Sequence, residues 1–272
     1  VILNLVFVIG CNMSAEGVAI ASAIAQWVSA LLILSHLLRR KDACRLEVRK
    51  LRLHRMASKR VLMIGIPSGL QNAIFAVANL FVQAGLNSFD EITVSGAAAA
   101  ANADTLVFNI LAAFYTACAS FVSRNWGAGN KERITKTYLI SMFYAFAVGS
   151  ICGGLLLVFG RQFLGLFADK PEVIDAGMDR LRIMAFSYGF GSLMDASIAA
   201  SRGIGKSIIP TFMVIMGSCV FRVIWIYTVF AYFHTVPSLY LLYIFSWVIT
   251  GIAECIYFRY AYKKFVLKAQ VW

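Results

Sequence analysis

Apolar residues run through this sequence in long blocks rather than in strict alternation. Seven blocks stand out: Ala15–Leu38, Val61–Leu86, Thr93–Val122, Thr137–Phe159, Ile183–Ala200, Ile208–Phe233 and Val236–Tyr260. Each has the length, about 18–25 residues or more, that an α-helix needs to cross a hydrocarbon core of about 30 Å. No series of short alternating segments suggests a barrel, and only helices or closed barrels satisfy the backbone in lipid. The pattern therefore predicts an all-α polytopic membrane protein with seven spanning helices. The opening "VILNLVFVI" is apolar but too short to span. It lacks the basic start and the small-residue cleavage site of a secretory leader. It reads as the outer end of an eighth helix, and the chain as a fragment whose earlier helices are missing.

Composition fits this solvent. The chain is 60% hydrophobic and 14% charged, with a mean hydropathy of +0.76, where soluble domains carry about 25% charged residues. The net charge of +12 could suggest nucleic acid, but its distribution excludes that reading. Ten Lys and Arg fall in Arg39–Arg60, four in Arg124–Lys136, two in "SRGIGKS" and four from Arg259 onward. These are alternate loops, the arrangement of the positive-inside rule. The basic loops are thus expected to be cytoplasmic in a cell (inner) membrane, with Ala15 beginning outside. Three regions follow: residues 1–38 as the end of a preceding transmembrane lobe, 39–60 as a basic inter-lobe loop lying along the inner leaflet, and 61–272 as a six-helix lobe with a short basic tail. Membrane lipid and a small molecule are the expected partners, nucleic acid is not, and a monomer is expected.

Chemistry-bearing clusters are scarce. Cys11, Cys44, Cys118, Cys152, Cys219 and Cys255 show no CxxC spacing and read as small buried residues. His36, His54 and His234 assemble no zinc site. "GIGKS" at Gly203–Ser207 imitates the end of a phosphate-binding loop. It lacks the required earlier glycine, since Ala200 stands there, and a helix rather than a strand precedes it. No catalytic set is present, so the chain is not expected to be an enzyme, and no metal or cofactor site is expected.

Four ionisable residues lie inside the apolar blocks: Asp104, Asp195, Arg222 and Glu254. Charges at bilayer depth cost at least about 2.5–3.5 kcal/mol each, so they face protein or water and mark function. Asp195 shares a helical face with Tyr188, Gly191, Ser192 and Ala199. Asn72, Asn79 and Gln83, with Gln71 alongside, form a polar stripe on the first helix after the basic loop, expected to line a cavity and bind an ion or substrate, the alternative being bonds to neighbouring helices. Asp195, Tyr188 and Asn79 are expected to share a cation or proton. Asp104 and Arg222 each lie eleven residues from an outer helix end, about 16 Å at about 1.5 Å per residue, and equal depth predicts that they pair; the alternative is that Asp104 binds a cation and Arg222 pairs with Glu254. Glu254 is a further intramembrane acid nearer the cytoplasmic end. Three acids against one arginine within the spans favour a cationic substrate.

Two stretches echo each other. "AQWVSALLILSHLLRRK" and "FSWVITGIAECIYFRYAYKK" both carry a mid-helix Trp, Trp27 and Trp247, with Arg39 and Arg259 twelve positions on. Helical repeats with a site between them are a common transporter plan. With "GIPSGLQ", "SFVSRNWGAGNKERI", "SRGIGKSIIP" and "LFADKPEVIDAGMDRLRI", the chain resembles the multidrug and toxic compound extrusion (MATE) family. The resemblance implies a C-terminal lobe plus the end of an N-terminal lobe. It also implies a Na⁺- or H⁺-coupled antiporter exporting amphipathic, usually cationic, compounds by alternating access. A lipid-linked oligosaccharide flippase of the same superfamily is the alternative. The resemblance departs at two positions: Phe75 and Gly191 stand where sodium-coupled members carry carboxylates, with Asp195 one turn after the second. Gly127 and Gly129, and Gly203 and Gly205, are expected to form tight turns.

Overall fold

The structure is a computed structural model that describes residues 2–10, 12–41, 45–50 and 52–267. Cys11 and Cys44 lie outside the described residues, as does Lys268 of the basic tail. Every regular element among the described residues is helical. The chain divides into two units, Val1–Ser58 and Lys59–Trp272. The first contains α1 (Ile2–Leu5), which runs on as a π-helical turn at Val6–Gly10, and α2 (Ala15–Arg39). A 3₁₀ turn at Val48–Lys50 follows.

The described residues of the second unit form six helices: α3 (Arg55–Leu86), α4 (Glu91–Gly127), α5 (Lys131–Leu164), α6 (Pro171–Gly203), α7 (Ile208–Phe233) and α8 (Val236–Leu267). The division between units falls inside the first turn of α3. That helix starts at Arg55, within the stretch expected to be loop, because Arg, Lys and Met sustain a helix well beyond its apolar part. α7 contains two wide π-helical stretches, Ile215–Val220 and Ile226–Phe230, and α8 ends in another at Tyr262–Leu267.

Among the described residues, six helices are long and apolar enough to cross a membrane: α2, α3, α4, α5, α7 and α8. The expected seventh span, Ile183–Ala200, is part of α6, which has the length at 33 residues but not the apolarity. The physical reason is its position. α6 packs against α4, α5 and α8 at once, and Ser187, Ser192, Ser197 and Ser201 on it are buried in protein. A helix that faces protein rather than lipid needs no apolar coat.

Small residues bring these helices together, as is usual where lipid supplies no hydrophobic drive between helices. Gly153 on α5 lies directly against the Ala185 backbone of α6, so that any side chain there would collide. Gly96 on α4 meets Val173 and Gly177 of α6 in the same way. Of the four expected turn glycines, Gly129 (φ 70°) and Gly205 (φ 77°) adopt the left-handed conformation that a tight turn requires. The other two do not. Gly127 is the last residue of α4 and faces open space, while Gly203 makes room for Val122, 2.7 Å from where its Cβ would sit.

Helix α3 is attached differently. It approaches no other helix along its length as closely as the others do. Val82 and Leu86 near its end join an apolar cluster with Phe230 and Leu239. Elsewhere it is tied by polar bonds: Ser207 donates to the Met63 carbonyl at 3.0 Å, and two arginines reach its amides.

Candidate functional site

Five helices of the second unit line an open cavity of about 600 Å³. α6 supplies one continuous stripe to it: Arg180, Met184, Tyr188, Gly191, Asp195, Ile198 and Arg202. The steps between them are three or four residues, the spacing that keeps side chains on one helical face. α3 contributes Gln71, Asn72, Phe75 and Asn79. α4 contributes Asp104, Phe108 and Tyr115, α7 contributes Arg222, and α8 contributes Tyr243 and Trp247.

Asp104 sits at the centre of a charged cluster. The Arg180 guanidinium forms an ion pair with one carboxylate oxygen, and the Tyr188 hydroxyl donates to the other. Arg180 also donates to the Ala97 carbonyl at 3.2 Å and lies over the Tyr240 ring. Both ends of the pair are largely buried. Asp104 therefore takes its cation from α6, not from Arg222 as equal depth suggested. Depth along the membrane does not say which helix stands alongside, and α6 is the close neighbour of α4.

Arg222 is buried, with 1% of its surface exposed. It donates to the Asn79 amide oxygen at 2.9 Å. Its guanidinium carbon lies 4.8 Å from the Phe75 ring centre, 4.5 Å from that of Tyr243 and 5.8 Å from that of Trp247. These are cation–π distances. Its Nε and Nη2 have no hydrogen-bond partner.

At the other end of the stripe, Arg202 donates to the Tyr115 hydroxyl at 2.5 Å and to the Gln71 amide oxygen at 2.7 Å. Between these clusters Asp195 faces the cavity, half-buried, and makes no hydrogen bond or ion pair among the described residues. The expected trio of Asp195, Tyr188 and Asn79 shares the cavity but not a common contact. Tyr188 is engaged by Asp104, and Asn79 by Arg222. Gln83 is absent from the lining; its amide donates to Asn87 at 2.9 Å one turn on. Glu254 is fully buried outside the cavity lining, with both carboxyl oxygens unpartnered.

Two arginines escaped the sequence reading. Arg180 lies outside the apolar block that begins at Ile183, yet α6 starts twelve residues before that block, at Pro171. Arg202 was assigned to a cytoplasmic turn, but it is on the last turn of α6 and reaches back into the cavity. The ratio of three acids to one arginine is corrected accordingly: three arginines and two aspartates line the cavity. The signal was present in the spacing Arg180–Tyr188–Asp195–Arg202, steps of eight, seven and seven, which form one helical stripe. Among the described residues no group of three or more His, Cys, Asp or Glu side chains is placed to hold a metal ion.

Comparison with known proteins places this geometry. The MatE family matches residues 67–228. The chain is 27% identical over 130 residues to a probable multidrug resistance protein, YpnP, of Bacillus subtilis, covering 48% of this chain and 29% of that one. It is 24% identical over 180 residues to a FAD transporter of Shewanella oneidensis, covering 65% and 39% respectively. The chain thus spans well under half the length of these relatives. An outward-facing multidrug resistance MATE family transporter of the MOP superfamily superposes with a TM-score of 0.88 at 19% identity, over 98% of this chain and 60% of that one.

Proposed function

We propose that this chain, which belongs to the MatE family, forms the substrate- and ion-binding lobe of a cation-coupled antiporter that exports small amphipathic compounds by alternating access. The observation that carries the reading is Asp195. It is the one cavity carboxylate whose oxygens are not already claimed, because Asp104 is held by Arg180 and Tyr188. An uncommitted carboxylate in a membrane cavity is suited to take up and release Na⁺ or H⁺. Around it the walls are mostly apolar and aromatic with a few fixed polar groups, the usual make-up of a small-molecule site.

The full-length protein, working as a monomer in the inner membrane with its basic loops in the cytoplasm, would exchange that ion for substrate. Na⁺ and H⁺ are separated by export of a fluorescent substrate from vesicles under an imposed Na⁺ or pH gradient. Collapse of the coupling gradient should abolish export. Asp195→Asn should lower gradient-driven export at least about tenfold with expression unchanged, a factor worth about 1.4 kcal/mol. Export by that variant at the wild-type rate would end the assignment of Asp195. The flippase reading is the weaker one, because the named relatives are a probable multidrug resistance protein and a FAD transporter. The earlier preference for cationic substrates rested on a surplus of acids that this cavity does not have.

A further inference from the structure

We infer that the cavity binds an anionic group carried on a flat aromatic ring, with Arg222 as the principal anion contact. This rests on the transport reading for its biological setting but concerns binding alone. Charge bookkeeping among neighbours leads to it. Arg180 and Asp104 neutralise each other. Arg202 gives its hydrogen bonds to a tyrosine hydroxyl and an amide, and Arg222 to an amide. Asp195 and Glu254 both lie within electrostatic reach of Arg202, while no carboxylate among the described residues acts on Arg222, so Arg222 is the guanidinium left without a counter-charge. Guanidinium groups do not lose their protons in proteins, so this charge is permanent. A buried charge without a counter-charge is costly in low dielectric. An anion entering the cavity removes that cost.

Arg222 is the group best placed to receive it. Its fork has two unused donors, Nε and Nη2, buried and without partners. Adjacent donors on one planar guanidinium suit a carboxylate, phosphate or sulfonate taken in bidentate fashion. The ring requirement comes from the same surroundings. Phe75, Tyr243 and Trp247 pack about the guanidinium, and Phe108 meets both Tyr188 and Trp247 edge to face, at 5.8 and 5.9 Å between centres. Both donors are covered in this structure, so the anionic substituent reaches the fork as one of these rings turns aside, and the flat ligand ring takes that ring's place in the aromatic group. At about 600 Å³ the cavity lies in the range of about 300–1,000 Å³ typical of drug-sized ligands.

The test uses two pyrene probes that share one linker, one ending in a carboxylate and the other in a trimethylammonium. Binding to the full-length protein is measured by fluorescence in zwitterionic nanodiscs. Wild-type protein should bind the carboxylate probe at least about tenfold more tightly, the lower range expected of a charge-assisted hydrogen bond. Arg222→Gln should remove that preference and leave the cationic probe unaffected, whereas Arg222→Lys should retain part of it. Preference for the cationic probe in wild type, or equal weakening of both probes in Arg222→Gln, overturns the inference. The wild-type comparison stands even if the variant does not fold. Phosphatidylglycerol added to the nanodiscs should not displace the probe; displacement would assign the anion site to a lipid headgroup and overturn the ring requirement. Transport is scored separately. Protein that binds the anion but exports neither probe refutes the transport reading only, and protein that exports a probe yet binds the cationic one more tightly refutes only this inference.

Discussion

Asp104 and Arg180 illustrate how one residue's neighbours decide its role. Removing one partner of a buried ion pair leaves an uncompensated charge, at a cost of about 3–5 kcal/mol. Asp104→Asn and Arg180→Met should each lower the thermal unfolding temperature of the purified protein, and the double variant should lose less than the two single losses combined. Strict additivity would show that the two residues are not coupled. Arg222→Met serves as contrast: combined with Asp104→Asn it should show no such recovery, because Arg222 bonds Asn79 instead. Depth in the bilayer predicts a partner for Asp104 but points to Arg222, where the structure has Arg180. The reason is local. Asp175, Asp179, Arg180 and Arg182 lie within eight positions and look like a polar loop. In the structure Asp175 and Asp179 form exposed pairs with Arg161 and Arg182, leaving Arg180 alone turned inward on the stripe with Met184 and Tyr188. Glu254 was recognised as an intramembrane acid, but nothing in its sequence neighbourhood signalled that both its oxygens would be left unpartnered.

At the level of elements, the helices were readable because apolar length is a direct measure of bilayer thickness, and their ends were not, because polar residues extend a helix past the hydrocarbon. The contacts between helices depend on single positions that composition hides. Gly153 and Gly154 are adjacent, yet the first lies against the α6 backbone and the second faces open space. Gly153→Ala should lower the unfolding temperature by several degrees, since backbone must move to admit the methyl group. Gly154→Ala should leave it unchanged or slightly raised, because alanine is the better helix former. Equal behaviour of the two variants would mean that α5 and α6 do not meet where the structure places them. α6 itself shows why a membrane helix can evade a hydropathy criterion: packed against α4, α5 and α8, it is free to carry serines and charges on every face that lipid never touches.

For the whole molecule, the alternation of basic loops makes orientation testable. In a background with the native cysteines replaced, Asp169→Cys should react with a membrane-impermeant maleimide in intact cells, and Ala128→Cys only after permeabilisation. Both positions are exposed. The opposite pattern would invert the assigned topology. The attachment of α3 has a consequence for how such a lobe operates. Where α4, α5 and α6 are pressed together by small residues, α3 is moored, and two of its moorings are the forks of Arg202 and Arg222. The same forks face the cavity. A visitor held by the two free donors of Arg222 leaves the third on Asn79, so cargo and hull share one rope: filling the hold tightens the plank beside it.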